Sequence, residues 1–187
     1  MTRLLALSVC LLAVVVSGCG GGEASINKAD TEGIWVDVGP LDFHVQGSRQ
    51  LNPNEVPDDR YVAGVPGNVK PPKGNETWFG VFLRIENRTK KAAMTPSDFE
   101  IEDTEGDIYR PVAVNPKANA FAYSPGRLGA QEVMPHPDST QELDSTAGSM
   151  LLFKLPLSTY SNRPLEFRIK AAEGQEAPHE ASVTLDL

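Results

Sequence analysis

Cysteine is nearly absent, with only Cys10 and Cys19 in 187 residues, so no disulfide framework can organise the fold. Histidine is almost as scarce: His44, His136 and His179 are the whole supply, and no two stand at metal-ligand spacing. The chain has no Gly-x-Ser-x-Gly elbow, no phosphate-cradling glycine loop, no His-Glu-x-x-His and no paired-cysteine motif, which makes an enzyme the weaker class. Positive charge is also short, 17 Lys and Arg against 25 Asp and Glu for a net −8. Such a surface is repelled by phosphate backbones, so nucleic acid is excluded as a partner. One long apolar run exists, Leu4 to Val16, and as a helix it rises only about 20 Å, short of the roughly 30 Å a bilayer core requires.

That run is preceded by Met1-Thr2-Arg3 and followed by Val16-Ser17-Gly18-Cys19. A short cationic stretch, an apolar stretch and small residues before a fixed point make a signal peptide. Val16-Ser17-Gly18-Cys19 resembles the lipobox of bacterial lipoproteins. The resemblance implies cleavage between Gly18 and Cys19, a diacylglyceryl group on the Cys19 thiol and a further acyl chain on the new terminus. Two acyl chains together give stable anchoring. Cys10 would leave with residues 1–18, so Cys19 would stand alone with no intrachain partner. The expected address is the cell membrane, lipid-anchored on the extracytoplasmic side. Loss of Arg3 moves the net charge to −9, so attachment must come from lipid and not from a basic patch. Residues 19–32, opening on Gly20-Gly21-Gly22, are expected to form a flexible tether averaging about 20 Å end to end.

The remaining residues, 33–187, fit one domain. Glycine and proline, 16 and 15, are scattered between short apolar runs, the pattern of strands joined by turns. Leu41, Phe43 and Val45 alternate with Asp42, His44 and Gln46, as in a half-buried strand. Trp78 to Ile85 is apolar on both faces, with Phe79, Val81, Leu83 and Ile85 on the deeper one, and reads as a central strand. Phe99 to Glu102 and Ile108-Tyr109 flank a hairpin in which Gly106 takes the turn. Met150 to Leu155, Leu165 to Ile169 and Ala181 to Leu187 complete seven or eight strands. The expected fold is all-β, a single antiparallel β-sandwich. Asn52 to Asn75, Pro111 to Asp144 and Ala171 to Pro178 carry no strand pattern. Phe121, Tyr123, Leu128, Val133 and Met134 in the second predict that it wraps a sheet face.

Phe82-Leu83-Arg84-Ile85-Glu86-Asn87-Arg88-Thr89, then Thr95-Pro96-Ser97-Asp98-Phe99, then Asp103 to Tyr109 resemble a bacterial domain-of-unknown-function family. Its members are immunoglobulin-like, telokin-like extracellular domains common in lipoproteins. Leu151 to Pro156 and Pro164 to Phe167 are similar to that family's closing strand pair. The resemblance implies the immunoglobulin-like fold and brings no catalytic residues with it.

Candidate chemistry is sparse. Met134 and His136, with Met94 or His44, are the residues from which a soft copper site would be built. Asp103, Glu105 and Asp107 around Gly106 offer carboxylates to calcium but lack the other ligands of a calcium loop. Asp42, His44 and Ser48 share one strand face, the ingredients of a hydrolase or simply an exposed polar face. Asn75-Glu76-Thr77 and Asn87-Arg88-Thr89 match a glycosylation pattern that in this setting reads as turns. Trp35, Tyr61, Trp78, Tyr109, Tyr123 and Tyr160 either pack the core or line a recognition surface. The reading is a membrane-anchored, non-enzymatic binding or interaction module, without a cofactor, whose partner is an envelope protein. Copper handling or respiratory-complex assembly is the alternative, and a hydrolase the second.

Overall fold

The computed structural model describes residues 25–186. The signal peptide, the cleavage point between Gly18 and Cys19 and the lipid on Cys19 that the sequence leads one to expect fall outside the described residues. In chain order the strands are β1 (Lys28–Ala29), β2 (Trp35–Val38), β3 (Leu41–Leu51), β4 (Glu76–Glu86), β5 (Ala93–Met94) and β6 (Asp98–Glu102). They continue as β7 (Ile108–Tyr109), β8 (Arg127–Leu128), β9 (Val133–Met134), β10 (Ser149–Pro156), β11 (Leu165–Lys170) and β12 (Glu180–Leu185). One helical turn, α1 (Asp58–Tyr61), lies between β3 and β4, and a 3-10 turn, Leu157–Ser161, follows β10. Among the described residues no helix is long and apolar enough to cross a membrane.

Two sheets form the body. The front sheet runs β10-β4-β3-β2 and the back sheet β1-β12-β11-β6-β7. Alternation dictates what each presents. Phe79, Val81, Leu83 and Ile85 of β4 point inward with Phe43 and Val45 of β3 and Phe153 of β10. They meet Phe99 and Ile101 of β6, Phe167 and Ile169 of β11 and Val183 of β12. Phe99 stacks on Phe167 at 5.9 Å between ring centroids, and Phe153 meets the same ring edge-on at 6.4 Å. Each such ring contributes about 1.5–3 kcal/mol through burial. The immunoglobulin-like β-sandwich is therefore the architecture, with seven strands of four residues or more and five two-residue strands at its margins.

The outer face of the front sheet is apolar at one end and ionic at the other. Leu51, Trp78, Phe82, Met150 and Leu152 form a second cluster closed by Tyr61 and Phe121. Those two rings come from the connection between β3 and β4 and from residues 111–144, which also hold the short strands β8 and β9, so β4 is covered on both faces as its sequence demanded. Phe121 is indeed laid on a sheet face, and Val112 and Ala122 bridge to Leu152 and Met150 on the β10 edge. Tyr123 and Leu128 are buried in the main core, with Met134 partly buried against it.

Three expectations need correction. The tether does not extend to residue 32, because Lys28 and Ala29 pair with Ser182 and Val183 and Ala29 is only 4% exposed. That pairing is parallel, whereas the other pairs among the described strands are antiparallel. The third concerns β3. Its register against β4 shifts between Val45 and Gly47, and a bulge reverses which face each later residue occupies. His44 stands opposite Arg84 on the outer face, whereas Ser48 stands opposite the core residue Val81. Asp42, His44 and Ser48 do not share a face.

Candidate binding groove

Ser48 is held on the inner side by Glu32, whose carboxylate accepts from the Ser48 hydroxyl and, at 3.2 Å, from its backbone N–H. His44 is engaged on the outer side: its Nε2 lies 2.9 Å from the Gly33 carbonyl oxygen and its ring 4.8 Å from Trp35. Arg88 sits over the other part of that assembly, 5.3 Å from the Trp35 ring and 2.8 Å from Asp42. Asp42 stands opposite Asp37 in the β2–β3 hairpin. Burial, with Asp37 and Glu86 adding negative charge, pushes Asp42 up to about 6 against the pull of Arg88.

The other candidates disperse. Met134 and His136 share a hollow of about 380 Å³ with Ser139, Thr140 and Gln141, but neither Met94 nor His44 lines it. Among the described residues no three of His, Cys, Asp and Glu are grouped to hold a metal ion. Asp103 is buried and accepts from the backbone N–H groups of Glu105 and Asp107 and from Tyr109 and Asn162. Burial alone would raise its carboxyl, yet these donors outweigh burial and lower it. The carboxylate folds its own hairpin. Asn87 is buried, donating to the carbonyls of Lys91, Leu128 and Gly129, so its side chain organises a turn. Of the aromatic residues, Tyr61, Trp78 and Tyr123 are buried, while Trp35, Tyr109 and Tyr160 are partly exposed.

What the structure adds is a groove that no motif announced. The end of β3, the start of β4 and the segment between them enclose about 790 Å³, within the range of small-molecule sites. Leu51, Val62, Val65, Val69 and Trp78 form its apolar wall, with Pro53, Pro66, Pro71 and Pro72 along the rim. Its roof is fixed by polar contacts at both ends. Asp58 accepts two bonds from Arg49 and a third, at 2.8 Å, from the Asn52 backbone. Burial would raise Asp58, but these donors hold it below the usual carboxylate range. Asn119 donates to the carbonyls of Tyr61 and Ala63 at 2.8 and 2.9 Å. Gly64 adopts φ +75° with the Asn115 carbonyl oxygen 3.0 Å from where a Cβ would sit, a position only glycine fills without strain. At the mouth, Lys154 lies 3.0 Å from Glu76 and donates to the Lys70 carbonyl at 3.5 Å. The only sequence signal was indirect: Leu51, Trp78 and Phe82 had to be covered by something, and the Val-rich, Pro-rich segment between the strands was available.

No family model matches the chain, and no curated protein matches it in sequence. Solved structures share its fold. The yjhA protein of Bacillus subtilis is similar over 84% of this chain and 99% of its own, at 13% identity and TM-score 0.55. A functionally unknown protein of Listeria monocytogenes is similar over 85% of this chain and 83% of its own, at 13% identity and TM-score 0.51. A candidate lipoprotein of Bacillus subtilis, ycdA, is similar over 83% of this chain and 38% of its own, at 10% identity and TM-score 0.51. The class defined is thus a β-sandwich, and at these identities the likeness to the bacterial proteins extends to the fold alone.

Proposed function

We propose that this chain is a lipoprotein of the telokin-like, immunoglobulin-like extracellular family, held on the extracytoplasmic side of the membrane through Cys19. It acts as a non-enzymatic binding module. The observation that carries the binding reading is the groove of about 790 Å³ with its aliphatic wall, roofed by a segment that Arg49, Asp58 and Asn119 pin to the sheet. The sequence Val16-Ser17-Gly18-Cys19 carries the address. Cys19→Ala should move the protein from the membrane fraction to the soluble fraction; retention in the membrane overturns the anchor. Native mass spectrometry of the membrane-extracted protein tests the groove. A bound component present in the wild type and lost in Val65→Asp is the expected result, and a component retained in Val65→Asp overturns it.

A second reading, copper handling, rests on Met134 and His136 lining one hollow. Copper(I) titration that leaves both side chains unperturbed at micromolar metal removes it.

A further inference from the structure

The chain enters the sandwich at one particular end. Ile26, itself half exposed, donates its N–H to the Asp37 carboxylate at 2.9 Å and accepts from the Asp37 N–H at 2.7 Å. Asp37 lies just before the Gly39-Pro40 turn, and Gly39 donates to the Pro178 carbonyl at 2.7 Å, so the β2–β3 and β11–β12 connections meet there. Because Lys28 and Ala29 are already bonded to β12, only residues 19–25 separate this end from Cys19. A flexible chain of that length averages about 15 Å and reaches about 25 Å when fully extended, whereas the 11 residues of β4 rise about 35 Å. The leash is shorter than the sandwich, so the end at which the chain enters is the end that a lipid on Cys19 keeps beside the bilayer.

That end also carries the side chains a bilayer surface accepts. Met94 is 51% exposed and stands opposite Arg127 in the β5–β8 pair. It shares a hollow of about 480 Å³ with Pro40, Lys91, Gln175 and Glu176, and Gln175 donates to its carbonyl at 2.7 Å. Lys90, Lys91 and Arg127 are exposed, and none of the three is in an ion pair among the described residues. The exposed acids beside them are Glu173 and Glu176. The other carboxylates of this end are engaged: Asp42 and Glu86 by Arg88, Asp98 by Lys170, Glu180 by Arg168, Asp37 by the Ile26 N–H and Glu132 by the Gly129 N–H. On a chain of net −8, the tip is therefore left with three cations against two acids. An anionic surface attracts those cations, and a methionine between them adds apolar area that the headgroup region covers.

We infer that this end is a membrane-contact face: Met94 enters the headgroup region of an anionic bilayer, Lys90, Lys91 and Arg127 lie on its phosphates, and the groove between β3 and β4 is turned to the aqueous side. The inference rests on the lipid at Cys19, which supplies the attachment, while the charged tip supplies the orientation. The test places the lipidated full chain in vesicles of phosphatidylcholine with phosphatidylglycerol. Cys10 leaves with the leader and the Cys19 sulfur is alkylated, so one introduced cysteine is the only thiol. A fluorophore on Met94→Cys should be quenched by spin-labelled lipid at least twofold more than the same fluorophore on Glu105→Cys, an exposed position in the β6–β7 hairpin at the opposite end. In vesicles of phosphatidylcholine alone that difference should at least halve. Lys90→Glu with Lys91→Glu and Arg127→Glu should remove it, and Glu173→Lys with Glu176→Lys, a gain that loss of fold does not produce, should enlarge it. Equal quenching at the two positions, or quenching at position 94 that ignores both the lipid charge and the triple variant, overturns the proposal. A chain that fails to float with either kind of vesicle overturns the anchor and this inference with it. A chain that floats but shows no difference between the two positions leaves the anchor standing and sinks the orientation alone.

Discussion

Tyr61 donates its hydroxyl proton to the Asp144 carboxylate, 83 residues further along the chain. That bond joins the segment between β3 and β4 to the one between β9 and β10 over the outer face of β4. The Tyr61 ring simultaneously meets Phe82 and Phe121 edge-on at 5.1 and 4.9 Å. One side chain therefore packs the second core and locks its cover. Tyr61→Phe keeps the packing and leaves Asp144 with Arg60 at 3.4 Å. It should cost about 1–3 kcal/mol, whereas Tyr61→Ala, which also opens a cavity, should cost about 3–5 kcal/mol. Urea unfolding followed by far-UV circular dichroism measures both. A Tyr61→Phe variant as stable as the wild type would show that the bond does not hold the cover.

Gly148 carries a different constraint. Its φ is +133°, and a Cβ there would lie 2.9 Å from the backbone nitrogen of Leu83. The close approach lets β10 begin beside β4. Gly148→Ala combines an unfavourable backbone region with a backbone clash and should cost more than about 1 kcal/mol. Gly67→Ala is the control, because a Cβ there meets nothing within 4 Å and no positive φ is required. It should be neutral or stabilising by up to about 1 kcal/mol through the unfolded chain. Thermal melting of the two variants side by side decides, and a Gly148→Ala variant that melts with the control contradicts the argument.

Period-two alternation explains why so much of the sandwich was legible. Phe79, Val81, Leu83 and Ile85 are the inward set of β4, and the outward set Trp78, Phe82 was apolar too, which demanded a cover. The limits have equally local causes. Two-residue strands such as β5 and β8 have no period to read, and β1 is created by its parallel pairing with β12, more than 150 residues away. The Val45/Gly47 irregularity shifts all later β3 residues to the other face, so alternation counted from Leu41 places Ser48 wrongly. The groove was illegible for a related reason. Its wall consists of loop valines and prolines that matter only after Arg49 and Asn119 bring the loop against Trp78.

Asp42 makes the β2–β3 hairpin sensitive to mildly acidic pH. A carboxyl whose folded value is raised, here to about 6, binds its proton more tightly when folded than unfolded. Stability is therefore greatest below the unfolded value near 3.8 and falls as the pH rises from about 4 to about 6. The fall approaches about 1.4 kcal/mol per pH unit at most, because this one group binds up to one extra proton in the folded state. Asp42→Asn removes the titration. Relative to the wild type it should gain stability between pH 4.5 and 7.5, read from urea midpoints at the two values. A difference between the two proteins that is independent of pH would sink the assignment.

Glu100 acts with the opposite sign, on the outer side of the back sheet. It is 3% exposed although it lies between the core residues Phe99 and Ile101, because Lys170 and Arg110 close over it. The Lys170 ammonium at 2.7 Å, more than Arg110, overcomes the cost of burial and holds its carboxyl below the usual glutamate range. A lowered folded value supplies stability that is fully present above the unfolded value near 4.5 and disappears as the pH falls through the folded one. Glu100→Gln preserves the shape and removes the charge, so at pH 7 it should be about 1–3 kcal/mol less stable than the wild type. As the pH falls through the lowered folded value the wild-type carboxyl takes up its proton and loses the same attraction, so the gap between the two proteins should narrow. Denaturant midpoints for both proteins from pH 7 to pH 3 provide the measurement. A gap that persists undiminished at pH 3 would mean that Glu100 is held by shape and not by charge, and that Lys170 and Arg110 are bystanders to its burial.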